Sequence, residues 1–321
     1  MKINWLWGWS LKNQNYVLIL EQLVYYYDED EKRKESRYIY ESSNGAALGS
    51  SIEEALLYGM FEVIERDNFL VSFYNKLPLV EIDIQPSKLK HINAMIKYLE
   101  KDGFSIHFFD ISMELKIPAV WCLIVDKSEN TVVKTYSAAG CHFNPEKAIE
   151  SSFFEVVSSV PVYEDIFSKK DYLERKELIF KNPKLLTEFE DHVLYYSHEK
   201  SLEKYDFLFP ITSRKRIDEL YPEWFESEKY KNHDLNDDIK TLVNEILSYY
   251  EDIYVINLSS SQLEEMGLCC VKVLIPGMQP VTFGVQYERK IKQRIMDALS
   301  QVQKQKRIDF SGFNENPHPF P

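Results

Sequence analysis

SSNGAALGSSIEEALLYGMFEVIERD, residues 42–67, is the stretch whose reading decides the fold. Asn44–Gly45 is a turn signal, because both residues tolerate backbone angles that most side chains forbid. Ser51 suits a helix N-cap, and Glu54 three residues on completes a capping box. The helix expected from there covers about residues 51–68. At 100° per residue, Leu56, Leu57, Met60, Phe61, Val63 and Ile64 fill an arc of roughly 160°. Glu62, Glu65 and Arg66 occupy roughly 100° on the opposite side. Two readings of that polar arc are open. It is a solvated face, or it is a place where two carboxylates one turn apart bind a hard cation while the guanidinium donates to phosphate oxygens.

Outward from this helix the pattern alternates. Upstream, residues 14–27 read as strand, DEDEKRKES (28–36) as a charged loop, and YIYESSNG as strand then turn. Downstream, LVEIDI reads as strand, SKLKHINAMIKYLEKDG as a helix ending at Gly103, and FSIHFFDI as strand. VWCLIVDK and TVVKTYSAAG form a hairpin of buried strands. Asn144–Pro145 opens a helix running to about Val160. Residues 163–250 are acidic, aromatic and helix-like, an inserted layer or lobe within a domain spanning 1–321. Strand character returns in DIYVINLSS and LCCVKVLIPG, before a last helix around 287–305 and a PHPFP ending. The expected fold class is α+β, with mixed sheets packed against helices.

Composition narrows the function classes. Of 321 residues, 45% are hydrophobic and 28% charged, as in a soluble folded protein. A net charge of −13 argues against a nucleic-acid backbone as partner and suits a basic peptide, a metal-loaded nucleotide or a complementary protein. Cys122, Cys141, Cys269 and Cys270 make no CxxC pair and are expected reduced, hence a cytoplasmic protein. The opening MKINWLWGWSLKNQN turns polar too soon for a signal peptide, and no apolar run approaches the roughly 18 residues of a spanning helix. No membrane role is expected.

The 42–67 stretch resembles the YcaO family, in which a Ser-Asn-Gly turn leads into a helix ending Glu-x-x-Glu-Arg-Asp. Further segments agree in order: Trp5-x-Trp7-Gly8-x-Ser10-Leu11, SAAGCHFNPEKAIESSFFEVV (137–157), VKVLIPGMQPVTFG (271–284) and the closing PHPFP. The resemblance implies ATP-dependent chemistry on a peptide amide. Glu62 and Glu65 would help hold magnesium-bound ATP with Arg66 near its phosphates, and Glu155 would be a further metal carboxylate. In azoline-forming members a Cys, Ser or Thr side chain of a ribosomally made precursor, such as a bacteriocin, adds to the preceding carbonyl. The oxygen is phosphorylated and leaves as phosphate, giving a thiazoline or oxazoline; other members form thioamides. Partners implied are the precursor peptide and a peptide-docking protein.

The tail admits two readings. Proline at 317, 319 and 321 stiffens it, so it is either a frayed end or a rod delivering the terminal carboxylate of Pro321 into the active site as a base or orienting group. His142 is expected to be structural, and Arg289 and Arg294 to be solvated. The sequence departs from the family pattern at Ser158, where Gln is usual, and at Ser159-Val160-Pro161, where Arg is usual; the family's earlier nucleotide-contacting half has no counterpart. A split enzyme completed by a second chain or a homodimer, a non-catalytic peptide-binding scaffold, and a fragment all remain open. The missing third is expected to leave an apolar face uncovered.

Overall fold

The protein is described here by a computed structural model covering residues 3–25, 38–85, 89–128, 131–226, 234–305 and 312–320. Its strands are β1 (Trp5–Ser10), β2 (Asn15–Leu20), β3 (Ala46–Gly49), β4 (Val80–Asp83), β5 (Phe104–Asp110), β6 (Ala119–Asp126), β7 (Thr135–Cys141), β8 (Arg214–Arg216), β9 (Tyr254–Asn257) and β10 (Cys269–Leu274). The longer helices are α1 (Ile52–Tyr74), α2 (Lys90–Lys101), α3 (Pro145–Phe167), α4 (Lys170–Lys181), α5 (Phe189–Tyr196), α6 (Leu235–Tyr249) and α7 (Lys292–Gln305). The class is α+β, as expected. Two units divide the chain. The first takes Met1–Asp67, Glu228–Thr282 and Arg289–Arg294, and the second Asn68–Ser227, Phe283–Glu288 and Ile295–Pro321. The helical stretch 163–250 is therefore shared, with α4 and α5 in the second unit and α6 in the first.

The first unit is built on an antiparallel sheet in the order β2-β1-β9-β10-β3. In the β1–β2 hairpin Trp5 faces Leu20, Trp7 faces Leu18 and Trp9 faces Tyr16. Directly paired residues share a face, so these six side chains line one side, where Trp7 is 65% and Tyr16 70% exposed. The opposite side carries Ile19, which packs with Val24 and Ile256. Trp5 and Leu18 on the same side are also exposed.

One strand moves relative to the sequence reading. Residues 38–42 are not in a strand; the amides of Tyr38 and Ile39 donate to the Gln22 side chain instead of to a ladder. The strand follows the turn, where Ala46–Gly49 pairs with Cys269–Lys272 of β10. Gly45 has φ +70, and a Cβ there would sit 2.1 Å from the Val273 carbonyl oxygen. Only glycine fits that approach. Its neighbour in space, Gly59, lets α1 run against β10, since a Cβ would lie 2.7 Å from a Val273 methyl.

In the second unit the sheet order is β7-β6-β5-β4-β8, with β4 and β8 its parallel pair. The β6–β7 hairpin forms as read, Ala119 opposite Cys141 through Val125 opposite Thr135. Every residue of both strands is buried, which is why AVWCLIVD runs apolar without alternation. α3 packs on this hairpin. Asn144 caps it, accepting from the Glu146 amide at 2.9 Å. The helix continues through Pro161 to Phe167, because buried Val156, Val160 and Phe167 prolong its apolar stripe. α1 likewise runs to Tyr74, six residues past the expected end, on buried Phe69, Leu70, Val71 and Phe73.

All four cysteines are free; Cys122 and Cys141 are buried, whereas Cys269 and Cys270 are partly exposed. Among the described residues no helix is long and apolar enough to cross a membrane.

Candidate functional site

The Ser-Asn-Gly turn and the Glu-x-x-Glu-Arg helix, both in the first unit, are joined side chain to side chain. Arg66 donates to Asn44 Oδ1 and Ser43 Oγ, each at 3.1 Å, and pairs with Glu62 at 2.7 Å. Asn44 Nδ2 in turn donates to Glu41 Oε1 at 2.6 Å and to the Val281 carbonyl at 2.8 Å, while its Oδ1 accepts from the Val281 amide. Glu41 pairs with Arg289 at 2.8 Å. From β10, Lys272 Nζ reaches the Ser42 carbonyl at 2.9 Å. A turn, a helix, a strand and the 279–289 segment thus meet on one asparagine and one arginine.

Within this network three cationic side chains, Arg66, Lys272 and Arg289, face two carboxylates, Glu41 and Glu62. Burial pushes the Glu62 carboxyl above its usual range, opposed by the charges of Arg66 and Lys272. Burial also lowers the Lys272 ammonium to about 8, against the pull of Glu41 and Glu62. Both shifts record charges withdrawn from water and only partly compensated. The solvated-face reading of the α1 arc therefore fails: Arg66 and Glu62 side chains are 11% and 22% exposed.

Arg289 and Arg294 are corrected as well. Neither is a solvated surface cation, and Arg289 precedes α7 rather than lying on it. Arg294 is buried against Asp67, which also accepts from the Gln279 amide at 2.7 Å. The Asp of Glu-Arg-Asp is thus structural, binding the helix to the 279–294 segment.

A cavity of about 500 Å³ opens beside the network. Leu18, Leu23, Tyr254 and Met278 give it an apolar body; Glu41, Asn44, Arg66 and Arg289 give it a polar end. Such a combination suits a ligand with a flat apolar part and a charged part.

Glu65 follows Glu62 by one turn on α1 and is partly buried. Glu155 lies on α3 of the second unit, partly buried, where its charge adds to burial in pushing the Cys122 thiol up. Among the described residues no group of three or more His, Cys, Asp or Glu side chains could hold a metal ion. Two carboxylates still fit Mg2+, which keeps much of its shell as water and substrate phosphate oxygens. His142 Nδ1 accepts from the Asn144 amide at 2.9 Å. Lys272 and Glu41 escaped the sequence reading. A lone lysine inside CCVKVL was a usable signal, since a charge in a buried strand needs partners.

Pro321 lies outside the described residues, but the tail before it does not fray. Residues 317–320 are buried. Tyr196 of α5 donates to the Pro317 carbonyl at 2.7 Å, and His192, one turn earlier, meets the His318 carbonyl at 2.9 Å. The Gly284 amide donates to His192 Nε2 at 3.2 Å, so Nδ1 carries the proton and donates to the tail. The His192 and His318 rings stack at 4.3 Å, and Phe320 packs edge-on against Phe69 at 4.8 Å.

Comparison with known proteins accords with this geometry. The model of one family, described as YcaO cyclodehydratase, ATP- and Mg2+-binding, matches residues 1–279. An uncharacterized protein of Methanothermobacter thermautotrophicus is 22% identical over 259 residues, 80% of this chain and 60% of its own length. This chain therefore spans under two thirds of that relative. A heterocyclase solved with substrate and cofactor superposes with a TM-score of 0.73 at 23% identity, covering 98% of this chain and 38% of that one. The Escherichia coli microcin synthetase McbBCD complex with pro-MccB17 bound gives 0.63 at 14%, covering 99% and 73%. Both structural likenesses are likenesses of fold.

Proposed function

The chain belongs to the YcaO family, and from that premise we propose that it takes part in ATP-dependent cyclodehydration of Cys, Ser or Thr in a precursor peptide, together with a peptide-docking partner protein. The observation that carries the reading is the cation-rich network of Arg66, Lys272 and Arg289 beside an apolar cavity. In a chain of net charge −13, cations gathered at a cavity's end favour an anion there. In this reading the cavity body takes the base of the nucleotide, and Arg66 and Arg289 face its phosphates. Glu62 and Glu65 hold Mg2+, with Glu155 proposed as a further metal carboxylate. A cation at Glu62 also offsets the burial that pushes its carboxyl up. Bound ATP and Mg2+ supply the phosphoryl group that turns an amide oxygen into a leaving group. What remains for the chain is to position the peptide and accept a proton, the part we assign to the carboxylate of Pro321.

McbBCD with its bound precursor is the precedent for a partner assembly. The test is calorimetric titration of ATP and Mg2+, beside mass spectrometry of a candidate precursor incubated with chain and partner. Loss of one water per ring is the expected product signature. Glu65→Gln should abolish ring formation while thermal stability stays nearly unchanged, since substitutions away from core packing shift stability by about 0.5 kcal/mol or less. Full activity in Glu65→Gln would dismiss the metal role. ATP binding without ring formation on any precursor would favour a peptide-holding scaffold.

A further inference from the structure

The C-terminal segment has a peculiarity that the position of Tyr196 and His192 answers. Proline at 317, 319 and 321 removes every second backbone amide, so the segment cannot be a central strand of a sheet. Two of its carbonyls accept from side-chain donors. α5 supplies two such donors, one turn apart on one face: Tyr196 to the Pro317 carbonyl and His192 to the His318 carbonyl. His192 is held in the donating tautomer from behind, by the amide of Gly284. That glycine closes VKVLIPGMQPVTFG, so two of the sequence's conspicuous segments meet on one histidine.

We infer that Tyr196 and His192 are positioning residues that clamp residues 317–320 by two of their carbonyls and so fix the register of that segment. The clamp lies wholly within the second unit and involves no cofactor. Phe320 adds apolar area through Phe69, and the two directional bonds fix the register of the segment. The consequence for catalysis rests on the reading that Pro321 acts through its carboxylate, whereas the clamp itself does not.

Hydrogen exchange of the His318 and Phe320 amides, followed by mass spectrometry on the full chain, tests it. Losing one neutral hydrogen bond corresponds to roughly a fivefold change in the docked-to-undocked ratio. Tyr196→Phe keeps the ring and should speed exchange at both amides about fivefold. Tyr196→Phe with His192→Leu should speed it about twenty-five-fold or more. His192→Asn, which can still donate at the same place, should stay near the parent. β6 amides, Trp121 to Val125, serve as the internal reference and should not change. Unchanged tail exchange in the double variant would overturn the clamp, as would an equal rise in β6, which would mean general loosening. Ring formation after appending residues to Pro321 tests the carboxylate separately, so the two ideas can fail independently.

Discussion

The first unit fastens its defining segments with charge, whereas the second fastens its tail with rings and neutral hydrogen bonds. Glu41, Glu62, Arg66, Asp67, Lys272, Arg289 and Arg294 tie a turn, a helix, a strand and a loop through ionic contacts. Phe69, His192 and Tyr196 hold residues 317–320 through ring packing and hydrogen bonds to carbonyls. Buried charges tolerate little alteration, because losing one partner strands the other in a medium that cannot solvate it. Ring packing degrades gradually with area. The segments that carry the proposed phosphate contacts are therefore held by charge partners, whereas rings and hydrogen bonds to carbonyls hold the tail.

Breaking the largest ionic contact should have the largest effect. Asp67→Asn leaves Arg294 buried beside a neutral amide and should cost about 3–5 kcal/mol in urea unfolding. A loss under about 1 kcal/mol would erase the contrast. Next comes pH. Lys272 is lowered to about 8 from 10.5, so between those values the unfolded chain binds the extra proton and stability rises with pH. The wild type should gain roughly 3 kcal/mol over Lys272→Met on going from pH 8 to 10.5, by the linkage of pKa to free energy. Flat behaviour in that window would mean the ammonium is solvated. On the aromatic side, Phe320→Ala should cost about 2 kcal/mol, less than a central Phe because a terminal segment can undock alone. Calorimetric melting would show it. Trp7→Ser, on the open hairpin face, should change stability by about 0.5 kcal/mol or less.

The legible parts of the sequence were those where local chemistry decides. Asn144–Pro145 capped α3 as read, and AVWCLIVD was a buried strand because both its faces are covered. Where distant chain decides, the reading slipped. YIY has the residues of a strand, but β10, from residue 269, pairs after the Gly45 turn and not before it. Arg294 reads as solvated on its own periodicity, and only the nearness of Asp67, some 227 positions away, makes it a core residue. Glu62 and Arg66 could be picked out and their burial could not. Glu41, His192 and Tyr196 carried no motif signal because each works through a partner remote in sequence, whereas Lys272 was signalled only by being a charge in an apolar strand.

The order β2-β1-β9-β10-β3 carries a consequence for the chain as it is made. Strands β1 to β3 end at Gly49, and their central partners start at Tyr254. On a ribosome adding about 5–20 residues per second, the hairpin waits some 10–40 s for the strands that complete its sheet. Throughout that interval both its inner face, with Ile19, and its aromatic face are open to water. The last strand of the second sheet, ending at Arg216, is synthesised before β9. The N-terminal hairpin is thus the segment most exposed to misassembly during synthesis. A holding chaperone acting on the nascent chain should engage there first, and for longest.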